Sequence, residues 1–486
     1  MRSNDPQHSR ATRKARGQFF TPHEVAVSLL RQVRCDLELL GLSTPEQGPV
    51  FDPACGDGSF LSAALVEGWV SSAGDLFGLD IDADVLSGPE GTHLSCADGL
   101  LEEPALEGRF AAAFGNPPYG GRGVRDLDAE DLQLLAGRFE TWRLDKEGQV
   151  KPLSSGKLDR LRRFPVAVLF VERFVRAVRP GGVVALLLPE SLFCNRREAP
   201  LRAWLLRHCQ LLSVTALPDD TFAATGTRAR TSFVLLRRRA EALPRLADVS
   251  LTEEVLLRRS GSEAAPERRS LSSLQQAARW DPEFHEPHWS HYIELCKLPL
   301  VPLGEFISML SYGAIKVGER PQEVASGGSL YVTQRAVADW GVDLELCPRI
   351  RSSAPFDSPR YRLDAGDLVL PRCGRGTLGR NRLTRFDGAD APAVVDCFTD
   401  RMSLTGMSSA WVLGVLRSPL GWDQIRRTFN GVGTPNLSFA EIRELLIPVP
   451  SDELQKEAEE LWTQVAGRRR PFADLAAFVH SSCGLP

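Results

Sequence analysis

The chain has 486 residues, enough for two or three domains, and a formal net charge of −4 that says little about partners until it is read locally. Ten cysteines without a C-x-x-C pair or a Cys/His cluster exclude a zinc site or a disulfide framework, and they read as reduced thiols of a cytosolic protein. No leader opens the chain, and no uninterrupted apolar run approaches the roughly 20 residues that cross a bilayer, so a cytoplasmic protein without membrane contact is expected.

Residues 1–16 are polar and basic, with Arg2, Arg10, Arg13, Lys14 and Arg16, and read as a loose arm. In the stretch from Gly17 to Glu24, Thr21 is placed as an N-cap with Pro22 at the first helical position, opening a helix through Val25, Leu29, Leu30 and Val33. Val50 to Phe60 (V-F-D-P-A-C-G-D-G-S-F) is a strand end, a glycine turn and a helix start. Gly56 and Gly58 let the backbone approach a ligand closely, and the helix start presents free amides. The next strand, Leu76 to Ile81, carries Asp80, well placed to accept from two hydroxyls of a ribose. A third, Thr92 to Cys96, leads into Asp98. A fourth, Phe110 to Phe114, runs into Asn116-Pro117-Pro118-Tyr119. Its two prolines stiffen the turn, its carboxamide and carbonyl oxygens suit an exocyclic NH2, and its tyrosine offers a face for a heterocycle.

Gly120 to Arg163 is polar and lacks a clear core face, which predicts a mobile loop beside that turn. A helix (164–178), a buried strand (181–189), a helix (196–208) and two strands (211–216, 231–237) would complete a seven-stranded sheet. Phe222, in the loop before the last strand, is either a base-contacting aromatic or a phenylalanine capping the core. Residues 241–290 read as a linker rich in Arg, Glu, Ser and Ala. Beyond it lie short strand-like runs (306–310, 330–333, 366–372, 394–398), the turn 430–438, a helix from Phe439, an apolar run from Leu446, and a polar helix from Ser451. Between Arg349 and Asp387 nine arginines face four acids, a candidate phosphate-binding surface.

Taken in order, F-F-T-P, D-P-A-C-G-D-G-S-F, G-L-D-I-D, A-D-G-L and G-N-P-P-Y resemble the gamma class of N6-adenine DNA methyltransferases. The C-terminal half resembles one target-recognition half of the specificity subunits of restriction-modification systems. The resemblance implies an α/β chain with a Rossmann-like, seven-stranded class I methyltransferase sheet over 17–240 and a mixed α+β target-recognition domain over 291–486. It implies that Thr21, Asp52, Ala54, Gly56 and Gly58 contact S-adenosylmethionine, that Asp80 takes its ribose and Asp98 its adenine, and that Asn116 lies against the same cofactor. Asn116, Pro117, Pro118, Tyr119 and Phe222 would carry the flipped base. Where the family often has a bulky apolar residue after the third-strand acid, this chain has Gly99.

The function implied is methylation of the exocyclic N6 of an adenine flipped out of duplex DNA, as the modification component of a restriction-modification system or as an orphan enzyme. The partners expected are double-stranded DNA and a separate restriction endonuclease, with a monomer or homodimer as the acting species and no metal. N4-cytosine methylation and a non-catalytic, DNA-binding specificity subunit are the alternatives.

Overall fold

In the computed structural model, residues 20–102, 106–120, 123–153, 158–218, 221–222, 230–262, 264–285, 288–353, 355–374, 376–429 and 436–486 are described. The basic arm and most of the turn at 430–438 lie outside them. Contacts divide the chain into two units, the first ending at Glu283 and the second starting at Phe284.

The first unit is built around central strands that are apolar on both faces. The helix α1 (His23–Leu39) precedes β1 (Val50–Asp52), α2 (Ser59–Val66), β2 (Leu76–Asp80), β3 (His93–Cys96) and β4 (Phe110–Gly115). Every residue of β1 and β4 is buried, as parallel strands covered on two sides require. The helices α3 (Ala129–Arg138) and α4 (Val166–Ala177) follow, then β5 (Val178–Pro189), β6 (Cys209–Ala216) and β7 (Thr231–Arg238). Period-two alternation in β5 assigns the two faces. Val183, Ala185 and Leu187 join the core under α1 and α2, while Val184, Leu186 and Leu188 join the core under α4.

The strand order is β3-β2-β1-β4-β5-β7-β6, with β7 antiparallel between β5 and β6, a Rossmann-like class I methyltransferase sheet. It then continues through β8 (Glu254–Arg258) and β9 (Glu267–Ser270) to nine strands. This corrects the linker assigned to 241–290. Val255, Leu257, Leu271, Leu274 and Trp280 are all buried in the core under α4, scattered among the charged residues that dominate the composition. Gly120 to Arg163 also differs from expectation. Val124, Leu132, Leu135, Phe139, Trp142 and Leu161 are spaced too irregularly for one face, yet all pack into that same core.

The second unit contains β10 (Leu300–Pro302), β11 (Ile307–Tyr312), β12 (Ser329–Val332), the small hairpin β13 and β14 (Val337–Ala338, Gly341–Val342), β15 (Arg349–Ile350), β16 (Leu368–Pro371), β17 (Thr384–Arg385), β18 (Ala393–Val395), β19 (Thr399–Leu404) and β20 (Leu446–Pro448). A four-stranded sheet, β11-β19-β16-β17, lies with the helices Ser409–Arg417, Asp452–Ala466 and Phe472–Ser482 around a core that includes Trp411 and Trp462, a mixed α+β arrangement. Trp411 donates its ring N–H to the Pro448 carbonyl at 2.9 Å, which satisfies the polar tip of a fully buried side chain.

Within β19, Asp400 is buried, and desolvation raises its carboxyl to about 7. A group raised in the folded state favours folding fully below its unfolded value, near pH 4, and that contribution is lost as pH rises through about 7. Asp400→Asn is therefore expected to flatten this part of the stability profile, as measured by denaturant melts between pH 4 and pH 8.

Candidate active site

The loops at the C-terminal ends of β1, β2, β3 and β4 enclose a cavity of about 510 Å³. Thr21, Asp52, Ala54, Gly56, Asp80, Asp98, Asn116 and Pro118 line it. The strand-end residues reach one place because β2, β1 and β4 are adjacent and parallel, so their outgoing loops share an edge.

Glycine is obligatory at three points of this cradle. Gly56 has φ +53°, and a Cβ there would lie 3.1 Å from the Phe20 ring. Gly58 has φ +69° and opens α2; a Cβ there would stand 2.2 Å from the Ser87 carbonyl oxygen. Gly58 does not line the cavity, and its role is to let the 87–88 segment close over the turn. At Gly99 a Cβ would fall 2.0 Å from the Pro53 carbonyl oxygen, so the bulky residue expected after Asp98 has no room. Leu100, one residue later, is buried and lines the cavity in its place.

The acids are held by backbone amides. Asp80 accepts from Gly56 N–H at 2.9 Å with one oxygen and from Asp82 N–H at 2.9 Å with the other. Asp52 accepts from Ala54 N–H at 3.0 Å, and Asp98 from Leu100 N–H at 2.9 Å. Burial pushes the Asp52 carboxyl well above its ordinary value, with Asp80 and Asp57 adding like-charge repulsion. It also raises Asp98. Five aspartates line the cavity, at 52, 57, 80, 98 and 126, and among the described lining residues there is no Lys, Arg or His. Such a site favours a cationic ligand and repels a phosphate-bearing one.

Arginines grip the 98–102 loop from behind. Arg173 of α4, fully buried, donates its Nε–H to the Gly99 carbonyl at 3.0 Å, and burial lowers its guanidinium to about 10. Arg138 of α3 donates to the Leu100 carbonyl at 2.8 Å and also to that of Glu102.

Thr21 departs from the expected cap. The helix begins at His23 with Pro22 as N-cap and no side-chain cap hydrogen bond. The Thr21 hydroxyl instead accepts from Asn116 Nδ2 at 3.0 Å. Of the other turn residues, Pro117 and Tyr119 do not line the cavity. The Tyr119 hydroxyl donates to the Leu187 carbonyl of β5 at 3.2 Å, and burial pushes its phenol well above the usual range. Phe222 is buried in the core under α1 and α2 and is also absent from the cavity wall. Residues 223–227 of its loop lie outside the described residues.

Several wall residues were not picked out from the sequence: Phe20, Asp57, Leu100, Asp126 and Phe170. Phe20 and Leu100 directly adjoin motif positions, and that adjacency was the available signal. Asp126 and Phe170 sit in stretches with no local signature.

A family model for N-6 DNA methylase matches residues 6–83. The chain carries an N-6 DNA methylase match. The matched stretch contains Thr21, Asp52, Gly56, Gly58 and Asp80. A type II methyltransferase from Thermus thermophilus, M.TthHB8I, is 29% identical over 172 residues, 35% of this chain and 36% of that protein, so little more than a third of the curated relative is spanned. Two solved structures share the fold. A nuclease-deletion mutant of the Type ISP restriction-modification enzyme LlaGI, with a DNA substrate mimic, has a TM-score of 0.51 at 12% identity, covering 93% of this chain and 55% of that one. The DrdV–DNA complex has a TM-score of 0.51 at 9% identity, covering 96% and 58%.

Proposed function

We propose that this N-6 DNA methylase-like chain is an S-adenosylmethionine-dependent DNA methyltransferase acting on the exocyclic N6 of a flipped adenine. The observation that carries the reading is a cavity lined by five aspartates, with no Lys, Arg or His among its described lining residues and with Asn116 and Pro118 on its wall. S-adenosylmethionine bears a sulfonium and an ammonium and no phosphate, so it fits this charge where a dinucleotide would not.

In this reading Asp80 holds the ribose hydroxyls, and Asp98 accepts from the adenine amino group beside the apolar face of Leu100. Asp52 and Asp57 offset the cationic end. When bound, the cofactor supplies an electrophilic methyl group; the remaining work falls to the chain. Extruding a base from the duplex costs roughly a few kcal/mol, and stacking on an aromatic such as Tyr119 offsets roughly 1–3 kcal/mol of it. Donation from Nδ2 to Thr21 orients the Asn116 carboxamide so that Oδ1 is the atom directed at a base amine. Together with the Pro117 carbonyl it accepts both amino protons, favours a pyramidal nitrogen and stabilises the positive charge that develops on it. Phe222 would reach the base only by leaving its core position.

The arginines behind the cofactor loop give a test of the cavity assignment. Arg173→Met keeps the volume of the side chain but removes the donor to Gly99. A rise of roughly tenfold in the KM for S-adenosylmethionine, with kcat little changed, is expected from the loss of one buried hydrogen bond to a charged group.

Duplex DNA as the substrate and a restriction-modification role are in keeping with the kinds of protein that share the fold. Nucleoside mass spectrometry on DNA from a methylation-deficient host expressing the protein decides the base. N6-methyladenine supports the assignment, N4-methylcytosine moves it to the other amino base, and an unmodified genome overturns it.

A further inference from the structure

A second cavity opens in the first unit, across α4 from the cavity of the candidate active site. Val166 and Phe170 of α4 line the first cavity. Val168, two residues from each and so on roughly the opposite side of the helix, lines the second. No described residue lines both. The second cavity has a volume of about 410 Å³, the size of a small-molecule site. Its floor is apolar, with Leu144, Val168 and Leu201 buried and half-buried Phe164 on its wall.

The rim of this cavity is cationic, where the first cavity has aspartates and no described cation. Arg160, Arg163 and Arg197 line it, and all three are exposed. Arg160 and Arg163 form no ion pair among the described residues. Arg197 meets Glu198 only at 3.8 Å, a long contact for an arginine that is 79% exposed. Two acids, Asp159 and the mostly buried Glu198, stand among the three arginines.

Guanidiniums above an apolar floor suit a ligand that is anionic at one end and flat and apolar at the other. Arginine pairs bidentately with phosphate, and Arg160 and Arg163 have no existing ion pair to give up in doing so. A planar heterocycle can lie against Phe164 and the aliphatic side chains of the floor. The two acids call for donors, which sugar hydroxyls or an exocyclic amine supply and a plain acyl or aryl carboxylate does not.

We propose that this second cavity binds a nucleotide. Its phosphate pairs with Arg160, Arg163 and Arg197, its base lies against Phe164 and the floor, and its hydroxyl or amino groups donate to Asp159 and Glu198. A free nucleoside monophosphate and a nucleotide within a single strand offer the same chemistry. The site does not depend on what the first cavity holds, because the two have separate walls.

The test is calorimetric titration of the full chain with thymidine 5′-monophosphate, inorganic phosphate and a short oligothymidylate. Thymidine is chosen because it lacks the adenine expected in the first cavity. The wild type is expected to bind the mononucleotide more tightly than phosphate. The double variant Arg160→Ala, Arg163→Ala should weaken it roughly tenfold to a hundredfold. Phe164→Ala should weaken the mononucleotide roughly tenfold and leave phosphate within about twofold. Saturating S-adenosylmethionine should leave the mononucleotide affinity unchanged. Arg160 and Arg163 are exposed, so the double variant folds even if Phe164→Ala does not. Oligothymidylate binding that the double variant weakens, without binding of the mononucleotide, would place the nucleotide in a strand and keep the site. Equal affinity for phosphate and mononucleotide would reduce it to an anion patch and overturn the assignment. No binding of either thymidine ligand, binding that the double variant leaves unchanged, or competition by S-adenosylmethionine would overturn it too.

Discussion

Asn116→Ala is expected to lower methyl transfer by roughly 10²–10³-fold or more while leaving cofactor affinity within a few fold. Its carboxamide is one of two oxygens placed to stabilise charge that exists only as the amino nitrogen attacks, so its loss falls on kcat rather than on KM. Losing the side chain's hydrogen bond to Thr21 should cost about 1 kcal/mol of stability. Single-turnover transfer of labelled methyl to host DNA, set beside calorimetric titration of S-adenosylmethionine, separates the two effects. Loss of cofactor binding in step with activity would show that Asn116 builds the cofactor cavity instead of acting on the base.

Gly99→Leu restores the bulky residue that the family often carries after the third-strand acid, and it is expected to fail. The first carbon added would stand 2.0 Å from the Pro53 carbonyl oxygen, a rigid backbone atom of the β1 turn. Either that turn or the Gly99 loop must shift, and Arg173 and Arg138 hold the loop by its carbonyls. Overpacking of this kind costs about 1–3 kcal/mol, and the displaced loop carries both Asp98 and Leu100. Cofactor affinity should drop by roughly a hundredfold, read by calorimetric titration. Leu100→Ala, which removes apolar contact without collision, should cost only about tenfold. A Gly99→Leu protein with undiminished cofactor affinity would show that the adenine lies elsewhere.

The parts of the site legible in the sequence are those whose chemistry is local. Asp80 ends an apolar strand, Asp98 follows a short strand, and Asn-Pro-Pro-Tyr is a rigid turn wherever it occurs, so each could be placed at a strand end without knowing its neighbours. The register of β2, β1 and β4 then brings them to one cavity. Thr21 was legible as a residue but not in its role. Its position before Pro22 matches a helix cap, and only the packing of the 20–22 segment against the β4 turn shows the hydroxyl serving Asn116 instead.

The boundary of the first unit was not legible for a related reason. Composition averages over a window, and the charged residues of 241–283 outnumber the few apolar ones that matter. Val255, Leu256 and Leu257 are all buried, but in a strand only five residues long, a run too short to separate from chance.

The sequence by itself determined the class of sheet, the order of the cofactor-type motifs and the rigid Asn-Pro-Pro-Tyr turn, because strand ends, glycine turns and paired prolines act through bonds within a few residues. Only the tertiary structure decided that Gly99 is forced by the Pro53 carbonyl, that Leu100 takes its place, that Phe222 belongs to the core, and that residues after 240 extend the sheet. Those outcomes depend on which distant atoms compete for the same volume and the same hydrogen bond, and no spacing along the chain encodes that competition.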